Sequence, residues 1–176
     1  MWHSTWDSTN GWSRDFEMPG HETASNPALM DWDGNLHLVH RGGTEDTLWH
    51  SVWEKGKGWG PDYRMHGPRS LEGPSLAVYK GDMYVIHRGH GYGDQSLWWT
   101  KRDKAGNWTV DMKFPGHLSG AGPAAVVYRD PKNGTKDQLL VVHRGYGKRA
   151  AGTDAAEVEA FLTAEQAANA AQNQTP

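Results

Sequence analysis

The chain has 176 residues, a formal charge of -3 and no cysteine, which excludes disulfides and thiolate metal sites and leaves no basic stripe for neutralising a phosphate backbone. Its length suits one core-bearing domain plus a tail, and no stretch approaches the ~20 apolar residues of a membrane span. Ten Trp and 22 Gly beside three Phe point instead to short strands and tight turns carrying a repeated Trp motif.

The chain opens on Met1-Trp2-His3-Ser4, with no basic region leading into an apolar one, so the expectation is a soluble protein without an export signal, cytoplasmic by default. Trp2 also begins a register that recurs. Trp2, Trp49 and Trp98 are each followed ten positions later by Trp12, Trp59 and Trp108, and three further on by Asp15, Asp62 and Asp111. Gly20, Gly67 and Gly116 continue it, then Pro27, Pro74 and Pro123, and each module ends in His-Arg-Gly at His40, His87 and His143. The modules cover approximately 1–47, 48–96 and 97–147, a repeat length that reads as one supersecondary unit.

In the second module the candidate strands are Leu48 to Glu54, Asp62 to Met65, Ser75 to Tyr79 and Met83 to Arg88. Gly56-Lys57-Gly58, Gly67-Pro68 and Lys80-Gly81-Asp82 punctuate them as turns. The third module carries a Pro/Asn/Gly-rich loop at 130–136. Period-two alternation puts Leu36, Leu38 and His40 on one face of a strand and His37, Val39 and Arg41 on the other, so both faces are largely occupied, as expected for a strand sandwiched between neighbouring blades.

The expected fold is therefore all-β, a β-propeller with three four-stranded repeats per chain, with a short β-solenoid as the competing architecture. Three blades do not close a ring. Met1 to Met18 supplies an outer strand pair without its inner pair, and Gly122 to Gly145 an inner pair without its outer pair. The expectation is a homodimer that shares blades to make a six-bladed ring; the competing expectation is a piece of a longer propeller. From 148 to 176 an Ala-rich tail carries an N-cap signal at Thr153-Asp154 and a short apolar stripe of Val158, Phe161 and Leu162, predicting a helix with a frayed end.

Chemistry concentrates on the repeated positions. Arg41, Arg88 and Arg144, beside His40, His87 and His143, can donate to sugar hydroxyls or a carboxylate. A building role is the alternative, with each Arg paired to the acid at Asp7, Glu54 or Asp103. Trp2, Trp49 and Trp98 suit stacking on a pyranose or packing between blades. Arg102 replaces Trp6 and Trp53 of the other modules, so the clefts between blades cannot be equivalent. No nucleophile elbow or phosphate loop is present. His spacing with carboxylate support is also lacking, so neither metal nor cofactor is expected.

The segments Pro74-Ser75-Leu76-Ala77-Val78, Tyr84-Val85-Ile86-His87-Arg88-Gly89, Leu97-Trp98 and Gly58-Trp59 resemble the repeats of bacterial fucose-binding β-propeller lectins of the Photorhabdus lectin type. That resemblance covers about Met1 to Gly145 and implies glycan sites in clefts between blades, with Arg41, Arg88 and Arg144 as donors and Trp2, Trp49 and Trp98 as platforms. His stands where those repeats have Val before Arg-Gly. The leading expectation is multivalent carbohydrate binding without catalysis. The alternatives are a small-molecule enzyme of cyclase or lyase type, using His40, His87 and His143 for proton transfer, and a protein-interaction scaffold. Expected partners are a glycan or small molecule and a second copy of the chain, not nucleic acid.

Overall fold

The computed structural model describes residues 1–91, 93–129 and 137–146. Every regular element among them is a β-strand, as short aromatic and β-branched runs between Gly-rich turns dictate. No helix among the described residues is long and apolar enough to cross a membrane. The expected helix over 148–176 and the expected loop over 130–136 lie outside the described residues.

At the N-terminus, β1 (Trp2–His3), β2 (Trp6–Asp7), β3 (Gly11–Trp12) and β4 (Phe16–Glu17) form one bent hairpin, with β1 pairing β4 and β2 pairing β3. The first larger sheet holds β5 (Ala28–Trp32), β6 (Asn35–Arg41) and β7 (Thr47–Glu54), with both β8 (Gly58–Trp59) and β9 (Tyr63–Arg69) on the far side of β7. The second runs through β10 (Ser75–Tyr79), β11 (Asp82–Arg88), β12 (Ser96–Arg102) and β13 (Met112–Leu118) in order. A final hairpin pairs β14 (Ala124–Arg129) with β15 (Asp137–Val142). All pairs are antiparallel, and no sheet closes on itself.

The repeat seen in the sequence is a repeat of register. In the inner hairpins Ala28 opposes Val39, Ser75 opposes Ile86 and Ala124 opposes Val142. In the outer ones Trp6 opposes Trp12, Trp53 opposes Trp59, and Arg102 bridges Trp108. Asp33-Gly34 and Lys80-Gly81 close the first two inner hairpins with φ of 51°, 80°, 52° and 88°. Two successive left-handed residues are the type I′ geometry that follows the natural twist of paired strands.

The structure differs from expectation at Gly67-Pro68, which is a bulge inside β9 rather than a turn ending it. Thr47 opposes Arg69 while Trp49 opposes Arg64, so the intervening residues of β9 arch away from β7. Gly67 supplies the φ of 114° that the arch requires. The second sheet repeats the device, with Ser96 opposite Leu118, Trp98 opposite Lys113 and Gly116 between.

The sheets stack face to face. Val39, Leu48 and Met65 of the first sheet meet Leu76 and Val85 of the second in one buried cluster. Tyr84, Ile86 and Trp99 on the opposite face of the second sheet meet Ala125, Leu139 and Val141 of the last hairpin in another. The edge strand β10 lies between β5 and β14. Trp32 Nε1 donates to Gly81 O at 2.9 Å, and Ala125 N donates to Ser75 Oγ at 2.9 Å, tying each unit to the next. Just before these strands the backbones nearly touch: a Cβ at Gly73 would collide with Asn26 O, and one at Gly122 with Gly73 O. Only glycine fits there.

Candidate functional site

The His-Arg-Gly strand ends are where the repeat brings polar groups together. His40 is 1% and His87 0% exposed. His40 Nδ1 lies 3.1 Å from Arg41 O, and its Nε2 3.1 Å from Asp62 Oδ2. His87 repeats this, 3.0 Å from Arg88 O and 3.0 Å from Asp111 Oδ1. Both ring nitrogens are taken in each case, leaving none to carry a proton to or from a substrate. A second imidazole, His21, places Nε2 3.4 Å from the other oxygen of Asp62.

The arginines face main chain. Arg41 Nε donates to Glu45 O at 3.1 Å, Arg88 Nε to Ser119 O at 2.9 Å, and Arg144 Nη2 to Gly120 O. The alternative pairing with Asp7, Glu54 or Asp103 does not form. Asp7 accepts from the amides of Thr9 and Asn10, Glu54 pairs with Lys57, and Asp103 accepts from Asn107. An acid just after a strand caps its own turn more readily than it reaches a neighbouring strand.

Trp49 and Trp98 are half-buried, and each is pinned by an acid four residues earlier. Trp49 Nε1 donates to Glu45 Oε1 at 3.2 Å, and Trp98 Nε1 to Asp94 Oδ2 at 2.9 Å. Burial pushes Asp94 up, but hydrogen bonds from Ser96 and Trp98 outweigh it and hold the carboxyl below its ordinary value. This arrangement explains the glycine of the motif. A Cβ on Gly42 would come within 2.9 Å of both Trp49 Nε1 and Glu45 Cγ, and one on Gly89 would run into the Asp94 carboxylate.

Beside Trp49 opens a pocket of about 220 Å³ lined by Glu22, Thr44, Glu45 and the Trp49 ring, with His40 and Asp62 also reaching it. An aromatic wall facing carboxylates and a hydroxyl can hold a small, hydroxyl-rich ring, the apolar face on the indole and the hydroxyls donating to the acids. The corresponding place in the second sheet keeps two of the acids, as Asp94 and Asp111, but exchanges the third for a cation. Arg69 occupies the register of Glu22 and pairs with Asp46 at 2.7 Å, while Lys113 Nζ lies 5.9 Å from the Trp98 ring centroid. The third set is not assembled. Trp2 is 65% exposed on the N-terminal hairpin, and His143 and Arg144 follow β15.

A second cleft, about 300 Å³, lies between the two larger sheets and is lined by Trp32, His37, Tyr63, Arg102 and Lys104 among others. Behind it His37 and His50 stack with centroids 5.2 Å apart, and His37 Nδ1 lies 3.0 Å from His50 Nε2. Burial, followed by the neighbouring His37 and Arg102, pushes His50 down to about 3. Burial and Arg102 lower His37 as well. Arg102 occupies the place of Trp6 and Trp53, and its guanidinium sits 5.8 Å from the Trp32 centroid.

Sequence reasoning singled out Trp49, His40 and Asp62 as repeating positions but missed Glu22, Glu45, Asp94 and the His37–His50 pair. The acid four residues before Trp49 and Trp98 was a usable signal; the imidazole stack left none, because it joins alternate positions on different strands. Among the described residues no group of three His, Asp or Glu side chains is placed to hold a metal ion. No protein-family model matches the chain, and no curated protein does.

Proposed function

We propose that the protein is a carbohydrate-binding β-propeller, its modules arranged radially as blades and its ring completed to six blades by a second copy. The observation that carries the functional part is the pocket beside Trp49. There an indole held by Glu45 faces the Glu22 carboxylate across a space of about 220 Å³, below the ~300 Å³ at which pockets for drug-sized ligands begin and suited to one sugar ring. The repeat-level resemblance to bacterial fucose-binding lectins points the same way. The occupied ring nitrogens of His40 and His87 favour binding over proton transfer at those positions. Because Glu22, Arg69 and Leu118 share one register, neighbouring pockets on the ring differ in ligand preference, and weak sites on one rigid body gain by avidity on a glycan-dense surface.

A broad glycan array, followed by calorimetry on the best ligand, tests this. Trp49→Ala is expected to weaken binding about tenfold or more, the ~1–2 kcal/mol worth of an aromatic platform. A chain that binds no glycan on the array would move the assignment to the second cleft. There two stacked imbedded imidazoles beside Arg102 and Lys104 support a reading as an acid–base enzyme acting on a small anion; His37→Gln abolishing turnover in a substrate screen is the result expected on that reading.

A further inference from the structure

The described residues hold one complete His–Asp–His cluster and the separated parts of another. In the complete one, His21 and His40 flank Asp62, with His21 Nδ1 3.1 Å from Pro19 O. His117 stands at the register of His21 and His143 at that of His40. His117 is held in the same way, its Nδ1 2.5 Å from Pro115 O, and its ring lies 6.0 Å from that of His143 at 66°. Among the described residues no Asp takes the place that Asp62 holds beside His40 Nε2, and His143 Nδ1, whose counterpart on His40 faces the following carbonyl, is buried without a hydrogen-bond partner. At the other end of the chain Asp15, the register equivalent of Asp62 and Asp111, is exposed.

The faces around these parts are complementary in the same way. Val39 and Ile86 are 0% exposed because the next unit covers them, whereas Val142 at their register is 60% exposed. Leu76 is 5% exposed against the preceding sheet, and Leu29 at its register is 57% exposed. Each open face is therefore the one that another module of this chain covers elsewhere.

We infer that Asp15 of a second copy enters between His117 and His143, as that copy's N-terminal hairpin pairs along the end of β15. The register follows from the complete sheet, where Val39, His40 and Arg41 oppose His50, Trp49 and Leu48. It sets Val142, His143 and Arg144 against the second copy's His3, Trp2 and Met1. The third pocket is thus built from two copies, one supplying His143 and the other supplying Trp2 and Asp15. Two-fold symmetry repeats the junction, leaving neither half-sheet with an open edge. This rests on the propeller reading but not on the glycan.

The natural absence of cysteine allows a direct test on the full chain. The double variant His3→Cys/Val142→Cys, oxidised in dilute solution, is expected to run as a covalent dimer on a non-reducing gel, and each single variant is expected to stay monomeric there. A disulfide closed within one chain, or none in a folded double variant, would overturn the inference. Should the double variant misfold, sedimentation of Asp15→Asn decides. Its dimer dissociation constant is expected to rise about a hundredfold, since one charge-assisted contact is lost at each of the two symmetric junctions. Asp62→Asn, whose cluster lies within one copy, is expected to stay within about twofold of the parent. An unchanged constant for Asp15→Asn would refute the proposal. None of these readouts needs sugar, so failure to bind glycan and failure of the junction remain separate results.

Discussion

The two larger sheets and the two terminal hairpins are written in the same motif, yet they bury it differently. Ile86 on β11 is 0% exposed and Val142 at the same register on β15 is 60% exposed; both are paired alike on one side, but only β11 has a second strand, β12, on the other. The motif therefore specifies pairing and the direction of each side chain, while burial depends on whether a second sheet stands opposite. Hydrophobic stabilisation belongs to the stack and not to the strand.

The largest expected effect breaks this comparison most directly. Ile86→Ala should cost about 2–5 kcal/mol as a cavity between the second sheet and the last hairpin. Val142→Ala should cost about 0.5 kcal/mol or less in dilute chain. Urea unfolding monitored by Trp fluorescence measures both, and equal costs would mean that Val142 is already covered at the concentration used.

Acid should act next, and on the interface between the larger sheets. Unfolded, an imidazole titrates near ~6.5, whereas folded His50 is pushed down to about 3 and His37 is lowered too. Between those values the unfolded chain binds protons that the folded chain refuses, so stability is complete above the unfolded value and falls as pH drops through that window. By pH 4 the loss attributable to His50 is expected to be on the order of 2–4 kcal/mol. Melting temperatures from pH 7 to pH 4 should drop less steeply in His50→Gln than in the parent. Parallel curves would show that another group controls the acid response.

The smallest contrast uses the glycine of the motif. Gly89→Ala drives a methyl group into the Asp94 carboxylate and is expected to cost about 1–3 kcal/mol. Gly145→Ala meets nothing within 4 Å and should be within about 0.5 kcal/mol of the parent in dilute chain. Adding concentrated protein sharpens the test, since docking of a second copy at β15 would bring a penalty to Gly145→Ala as well.

Much of the local structure was legible from residue order. Trp2, Trp49 and Trp98, with their followers at fixed spacing, mark hairpins whose registers coincide, because turn residues and period-two alternation act within a few positions. Gly67-Pro68 was misread as a turn, since a strand bulge and a strand end use the same residues and differ only in whether pairing resumes beyond them. The pocket was legible in part. Trp49, His40 and Asp62 stood out by repetition, and Glu45 carried a usable signal four residues before Trp49, but Glu22 joins them only by close approach of a distant segment. The destination of Arg41, Arg88 and Arg144 was not legible, because an arginine fork donates to a carbonyl as readily as to a carboxylate and distance decides between them.

By itself the amino-acid order determined an all-β chain of repeated hairpins and the places of most of its turns, such as Lys80-Gly81. Those features follow from backbone conformation and side-chain type, which are properties of a few adjacent residues. Only the tertiary structure decided which copies of the motif are buried, that His37 stacks on His50, that the arginines serve main chain, and that Glu22 and Glu45 share a pocket with Trp49. These depend on distances between strands, turns and sheets that residue order alone does not fix: strand register sets His37 against His50, and the stacking of sheets sets which copies are buried.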